Sequence, residues 1–152
     1  MATINSLAAV CEAIRDGLAA STGFSATTVT DDDWRVRNNP VSIFVMPTGG
    51  GAQELLFEGV STNMFQVRYT VRIELYVRFM GNIRDLYSDA QVYTDRVLAW
   101  LRANDSLNDD SGVFATCHAQ PVTFEAQDVQ DQSGVVYRQV VFNVQCLLTG
   151  LT

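Results

Sequence analysis

Residues Phe65 to Phe79, "FQVRYTVRIELYVRF", alternate apolar and polar side chains through fifteen consecutive positions. The odd positions carry Phe65, Val67, Tyr69, Val71, Ile73, Leu75, Val77 and Phe79, and the even ones Gln66, Arg68, Thr70, Arg72, Glu74, Tyr76 and Arg78. A period of two predicts a strand with one buried and one wet face. At about 3.4 Å per residue it reaches about 50 Å, well beyond the usual five or six residues, so part of it is expected to project beyond the domain.

Other segments follow different periods. Ile4, Leu7, Cys11, Ile14 and Leu18 recur at three- and four-residue steps, which predicts a first amphipathic helix, with Thr3 or Asn5 as a possible N-cap and Gly23 beyond its far end. A short strand is expected from Val41 to Met46, closed by Pro47, which cannot donate to a ladder. The segment from about 47 to 64 contains Gly49, Gly50 and Gly51 and reads as a flexible loop with an apolar anchor at Leu55, Leu56 and Phe57.

After the long strand, Gly81 and Asn82 break the pattern, and Ile83, Leu86, Ala90, Tyr93, Val97 and Leu101 form one stripe of a second helix ending near Asn104. Val113 to Glu125 and Val136 to Thr149 read as the strands of an antiparallel hairpin joined around "QDVQDQSG", with Val140, Phe142, Val144, Cys146 and Leu148 inward. The resulting order is α-β-β-α-β-β. It gives a single α+β domain over residues 1–152, with a mixed, mainly antiparallel sheet packed by two helices.

Composition narrows the function classes. With 152 residues and 47% apolar content the chain can bury a core of its own, roughly 68 to 70% of its unfolded surface, and no apolar run is long enough to span a bilayer. No basic start precedes an apolar block, so a cleaved secretion signal is not expected. Cys11, Cys117 and Cys146 are odd in number and widely spaced, and read as reduced core residues.

All ten basic residues are Arg, which removes every mechanism that needs a lysine amine, the Walker phosphate loop included. The net charge of −7 disfavours gripping a phosphate backbone. That charge is unevenly spread. Val60 to Arg84 holds four Arg against Glu74 alone, whereas Ala103 to Tyr137 holds six acids and no Arg.

Candidate chemistry is sparse. Cys117 and His118 are strand neighbours and point to opposite faces, so they do not converge on a metal or a substrate. Asp31, Asp32 and Asp33 resemble the opening of a calcium loop, but Val36 and Ser42 stand where Gly and a bidentate Glu are needed. Asp105, Asp109 and Asp110 show no ordered ligand spacing, and no nucleophile motif is present. No catalytic residue, metal or cofactor is therefore expected. Arg68, Arg72 and Arg78 share one strand face and suit carboxylate pairing at an interface; a solvated strand face remains the alternative.

The stretches "INSLAAVCEAIRDGLAA", "FQVRYTVRIELYVRF", "DLYSDAQVYTDRVLAWLRAN" and "YRQVVFNVQCLLTG", in this order and at this size, resemble the tail terminator (tail completion) proteins of long-tailed bacteriophages, the lambda U-like family of neck proteins. That resemblance covers the whole chain and is one of organisation. It implies a structural virion protein without catalysis, forming a ring of six subunits on the tail tube. Such a ring stops tube growth, meets the tube protein on one side and the head connector or stopper on the other, and lets DNA pass through its pore.

The implied location is the tail and neck of the virion, assembled in the host cytoplasm, with no membrane. Another neck or baseplate ring protein, or a small-ligand-binding α+β domain, are the alternatives. On this reading the long strand is shared between subunits, and Arg68, Arg72 and Arg78 pair across the boundary with Asp128 and Asp131 at the hairpin tip. The Leu55, Leu56 and Phe57 loop is expected to order against a partner.

Overall fold

The computed structural model describes residues 7–24, 28–30, 40–47, 53–59, 64–104, 107 and 115–151, with side chains at 8–24, 29, 40–46, 67–104, 107 and 125–147. The fold is α+β. Its elements in chain order are α1 (Leu7–Ala20), a 3-10 turn (Thr22–Phe24), β1 (Thr28–Thr30), β2 (Val41–Pro47), β3 (Gln53–Gly59), β4 (Met64–Arg78), α2 (Ile83–Ala103), β5 (Ala115–Gln130) and β6 (Val136–Leu151). One six-stranded sheet has the order β1-β2-β4-β6-β5, with β3 joining β4 beyond β2. Among the described residues only β1 and β2 pair in parallel, and every other ladder is antiparallel.

The long strand lies at the centre of this sheet. Along one edge β6 pairs with all of β4, from Met64↔Leu151 to Arg78↔Tyr137. Along the other, β2 takes Val71 to Val77 and β3 takes Met64 to Tyr69. The expectation that β4 projects and is shared with a neighbour is therefore overturned. Its length is matched by 16 residues in each of β5 and β6, and both of its edges are consumed within the chain.

The segment expected to be a flexible loop is corrected in part. Gln53–Gly59 forms β3, hydrogen-bonded to β4, with a register shift between Leu55 and Phe57. Leu55, Leu56 and Phe57 thus belong to a strand, because the start of β4 offers an edge that β2 does not reach. Their side chains, and Gly49 to Gly51, lie outside the described residues, as do Asp31 to Asp33, Asp105, Asp109 and Asp110.

Both helices pack on one face of the sheet. Val10, Cys11, Ile14 and Leu18 of α1 and Leu86, Ala90, Val97 and Leu101 of α2 meet Val67, Tyr69, Val71, Ile73, Leu75 and Val77 of β4 in one buried core. Val140, Phe142, Val144 and Cys146 of β6 complete it, as the hairpin's alternation requires. Each fully buried aliphatic side chain here contributes about 1.5–3 kcal/mol.

Helix α2 starts as its sequence demands. The Asn82 side chain accepts from the Arg84 N–H at 2.9 Å, Asp85 lies in the first turn where the helix dipole favours an anion, and Arg102 lies in the last. Ile83 departs from the expected stripe, being 58% exposed. The two helices touch where α1 carries Gly17: a Cβ there would collide with the Trp100 indole, so only glycine lets the pair approach this closely.

Candidate interaction surface

The even positions of β4 face away from the helices, and the structure divides them. Arg68, Thr70, Arg72 and Arg78 are partly exposed, whereas Glu74 and Tyr76 are buried. The uniformly wet face expected from alternation is thus corrected at its centre. Tyr76 packs edge-on to Phe44 (5.6 Å, 83°) and Tyr137 (6.3 Å, 87°), and Met46, Val129 and Val135 flank this second small core. Its origin is β2, whose run "VSIFVM" buries side chains on both faces; Phe44 stands opposite Glu74 in the ladder.

A chain of polar groups crosses three strands here. Arg72 Nε donates to Glu74 Oε2 at 3.0 Å, and Tyr76 Oη donates to Glu74 Oε1 at 2.9 Å. Gln139 Nε2 donates to Tyr76 Oη at 2.6 Å, and Gln127 Nε2 donates to Gln139 Oε1. Burial, and next the Glu74 carboxylate, push the Tyr76 phenol above its usual range. Each member satisfies the next, so the network fixes the register of β4, β6 and β5 rather than offering a vacant site.

The acids expected to reach outward are engaged within the chain. Asp128 accepts from Arg138 Nη1 at 3.1 Å through Oδ1 and from Tyr87 Oη at 2.9 Å through Oδ2, and the Arg138 guanidinium lies 4.7 Å from the Tyr87 ring centroid. Asp131 accepts from Ser133 N (2.9 Å), Ser133 Oγ (2.7 Å) and Val135 N (2.9 Å), closing the hairpin turn whose Gly134 has a φ of +89°. The Ser133 hydroxyl, followed by the backbone N–H groups, holds the Asp131 carboxyl below its ordinary range.

Arg72 faces Glu74, not a hairpin acid. Within the chain Arg68, Arg72 and Arg78 lie along about 34 Å of one strand face and Asp128 lies on the opposite, helix side of β5, whereas Arg78 and Asp131 both lie near enough to Tyr137 to act on its phenol.

Asp128 and Arg138 face each other in the hairpin ladder, but Tyr87 is 41 residues from Asp128 and no local pattern announces that contact. Glu74 and Tyr76 were hidden for a different reason, since alternation reports one buried face and is silent when a neighbouring strand buries the other. Cys11 and Cys146 are buried and form no disulfide, and burial raises the Cys11 pKa. The side chains of Cys117 and His118 lie outside the described residues. Among the described residues no group of three or more His, Cys, Asp and Glu could hold a metal ion, and no helix is long and apolar enough to cross a membrane.

What remains available to a partner is strand edge and surface. Among the described residues β5 pairs only with β6, β1 only with β2 and β3 only with β4, so the sheet ends in edges of different length and sequence. No family model matches the chain, and no curated protein matches it.

Proposed function

We propose that the chain is a structural subunit of a bacteriophage tail, forming a ring of six copies that caps the tail tube, ends its polymerisation and joins it to the head connector or stopper. DNA passes through the pore of this ring without being read. The observation that carries the reading is the sheet: one face is packed by both helices, and its two sides end differently, in the sixteen-residue β5 on one and in β1 and β3 on the other.

Two different edges on one subunit permit a head-to-tail contact, and a head-to-tail contact whose rotation closes makes a ring. Strand addition between such edges supplies main-chain hydrogen bonds without a pocket or a catalytic group. Arg68, Arg72 and Arg78 lie on the face away from the helices, and Arg72 holds Glu74 within its own subunit. The absence of Lys and the net charge of −7 fit a wall along which DNA slides.

The experiment is a capping assay. Tube protein polymerises in the presence of increasing amounts of the chain, and tube lengths are measured by electron microscopy. The expected result is a dose-dependent shortening with density at one tube end; unchanged lengths and bare ends would rule the capping role out.

A further inference from the structure

The edges of the sheet differ in how completely their backbone groups are closed off. Strand β1 offers only three residues. Beyond it, the Val45 carbonyl of β2 accepts from Arg15 Nη2 at 3.5 Å, and Pro47 has no N–H to offer. Strand β3 is broken by its register shift between Leu55 and Phe57. Short strands, prolines and bulges are the means by which proteins blunt an edge against stray pairing. Strand β5 is blunted once, at Pro121, where the register shifts before Thr123; from Thr123 to Gln130 its edge runs on uninterrupted.

The ladders fix which groups that edge presents. The Val136 carbonyl accepts from the Phe79 N–H at 2.8 Å, so the Val136 backbone is turned to β4 and away from β5. Its hairpin partner Gln130 consequently turns N–H and C=O outward, and by antiparallel alternation so do Asp128, Ala126 and Phe124. Val144 lies an even number of residues beyond Val136 in the unbroken ladder with β4 and is turned the same way. Its partner Pro121 therefore sits on the open edge, where the missing N–H ends the run. The run is wet on both faces, with Glu125, Ala126, Gln127, Asp128 and Gln130 exposed. On one face α2 stands beside it, Tyr87 bonded to Asp128 and Gln91 one turn further along.

We propose that Thr123–Gln130 is a strand-addition site whose occupant is an extended, basic segment of a different protein. Outward N–H and C=O groups supply the binding, and the side chains flanking the edge choose the partner. Asp128 is neutralised by Arg138, and Asp131 is engaged in its turn. Glu125, exposed and without a cationic partner among the described residues, is the charge that faces an incoming strand. The net charge of −7 acts with it at longer range. Both favour a strand carrying Lys or Arg and oppose an acidic one, a second copy of this chain included. The site belongs to the single subunit, and Pro121 leaves Ala115–Gln120 and β3 to the contacts of the ring.

The test uses the full chain and two capped eight-residue probes, one alternating valine with lysine and the other valine with aspartate. Backbone hydrogen exchange followed by NMR reads the edge directly. In the free chain the amides of Ala126, Asp128 and Gln130 should exchange fast, while those of Gln127 and Val129, turned to β6, are protected. The lysine probe should slow the first three, and the aspartate probe should bind about tenfold or more weakly. Ala126→Pro removes an outward N–H that β6 does not use and should weaken the lysine probe by about tenfold or more, whereas Ala126→Val leaves it in place. Circular dichroism checks that both variants fold; should Ala126→Pro not fold, the exchange pattern decides.

Slow exchange at the outward amides of the free chain, or a lysine probe that fails to bind or binds without slowing them, overturns the proposal. So does a folded Ala126→Pro chain that binds the probe as wild type does. Equal binding of the two probes overturns the basic occupant. None of these outcomes depends on tube capping or on the mass of a ring, so a failure here is distinct from a failure of that reading.

Discussion

Replacing Tyr76 with Phe removes a single oxygen from the second core and keeps nearly everything else. The ring is retained, so the edge-on contacts to Phe44 and Tyr137 survive, and the side chain is only 1% exposed, so water gains no ready access. What is lost is a donor to Glu74 Oε1 and an acceptor for Gln139 Nε2, on residues that are themselves 8% and 7% exposed. A buried polar group left without its partner costs about 1–3 kcal/mol, and two are stranded while Arg72 still holds the other oxygen of Glu74.

The expected destabilisation is therefore about 2–4 kcal/mol. With an m-value near 2 kcal/mol per M, the urea midpoint falls by about 1–2 M at constant m. The same network gives the effect a sign with pH. The folded state holds the Tyr76 phenol above its usual pKa, first by burial and then by the Glu74 carboxylate. Its contribution to stability is accordingly complete below the unfolded value of about 10 and is lost as pH rises beyond it. Wild type should lose stability above that pH more steeply than Tyr76→Phe. A midpoint shift below about 0.25 M, with identical alkaline limbs, would show that the hydroxyl does not hold this network and refute the reasoning.

At Gly17 the usual helix preference reverses. Gly→Ala in a helix ordinarily gains up to about 1 kcal/mol, but here the new methyl meets the Trp100 indole, so Gly17→Ala should cost about 1–3 kcal/mol, with partial recovery in a Trp100→Leu background, measured by thermal unfolding. At the hairpin, Asp131→Ala should lower the melting temperature and flatten the acid limb of stability. Because the folded Asp131 carboxyl is held below its ordinary pKa, its contribution is present above about pH 4 and is lost as pH falls through the depressed value.

Elements carried by local chemistry were legible before the structure. The Asn82 cap, the stripe from Leu86 to Leu101 and the end at Asn104 place α2 nearly to the residue, and alternation places β4 within one position at each end. The hairpin was legible too, although β5 runs on to Gln130 and leaves a tighter turn than "QDVQDQSG" suggested. Pairing was not legible. Strand length says nothing about which edges are filled, so β4 read as a strand with length to spare when it is the centre of the sheet.

For the same reason β3 was hidden under "GGG": loop composition upstream gave no sign of the β4 edge waiting for Gln53 to Gly59. The surface was the least legible part. Charge totals over long windows suggested that the hairpin acids would meet arginines across a boundary, whereas short-range geometry spends Asp128 on Arg138 and Tyr87 and Asp131 on its own turn.

Native mass spectrometry of the purified chain, alone and after incubation with isolated tail tubes, reads the ring itself. Six chains of 16.8 kDa give a closed species near 101 kDa, and the ring proposal requires that mass, or a multiple of it, at low salt and in greater abundance with tubes present. A spectrum holding nothing heavier than two chains at every salt concentration, with no subunits retained by the tubes, would contradict it.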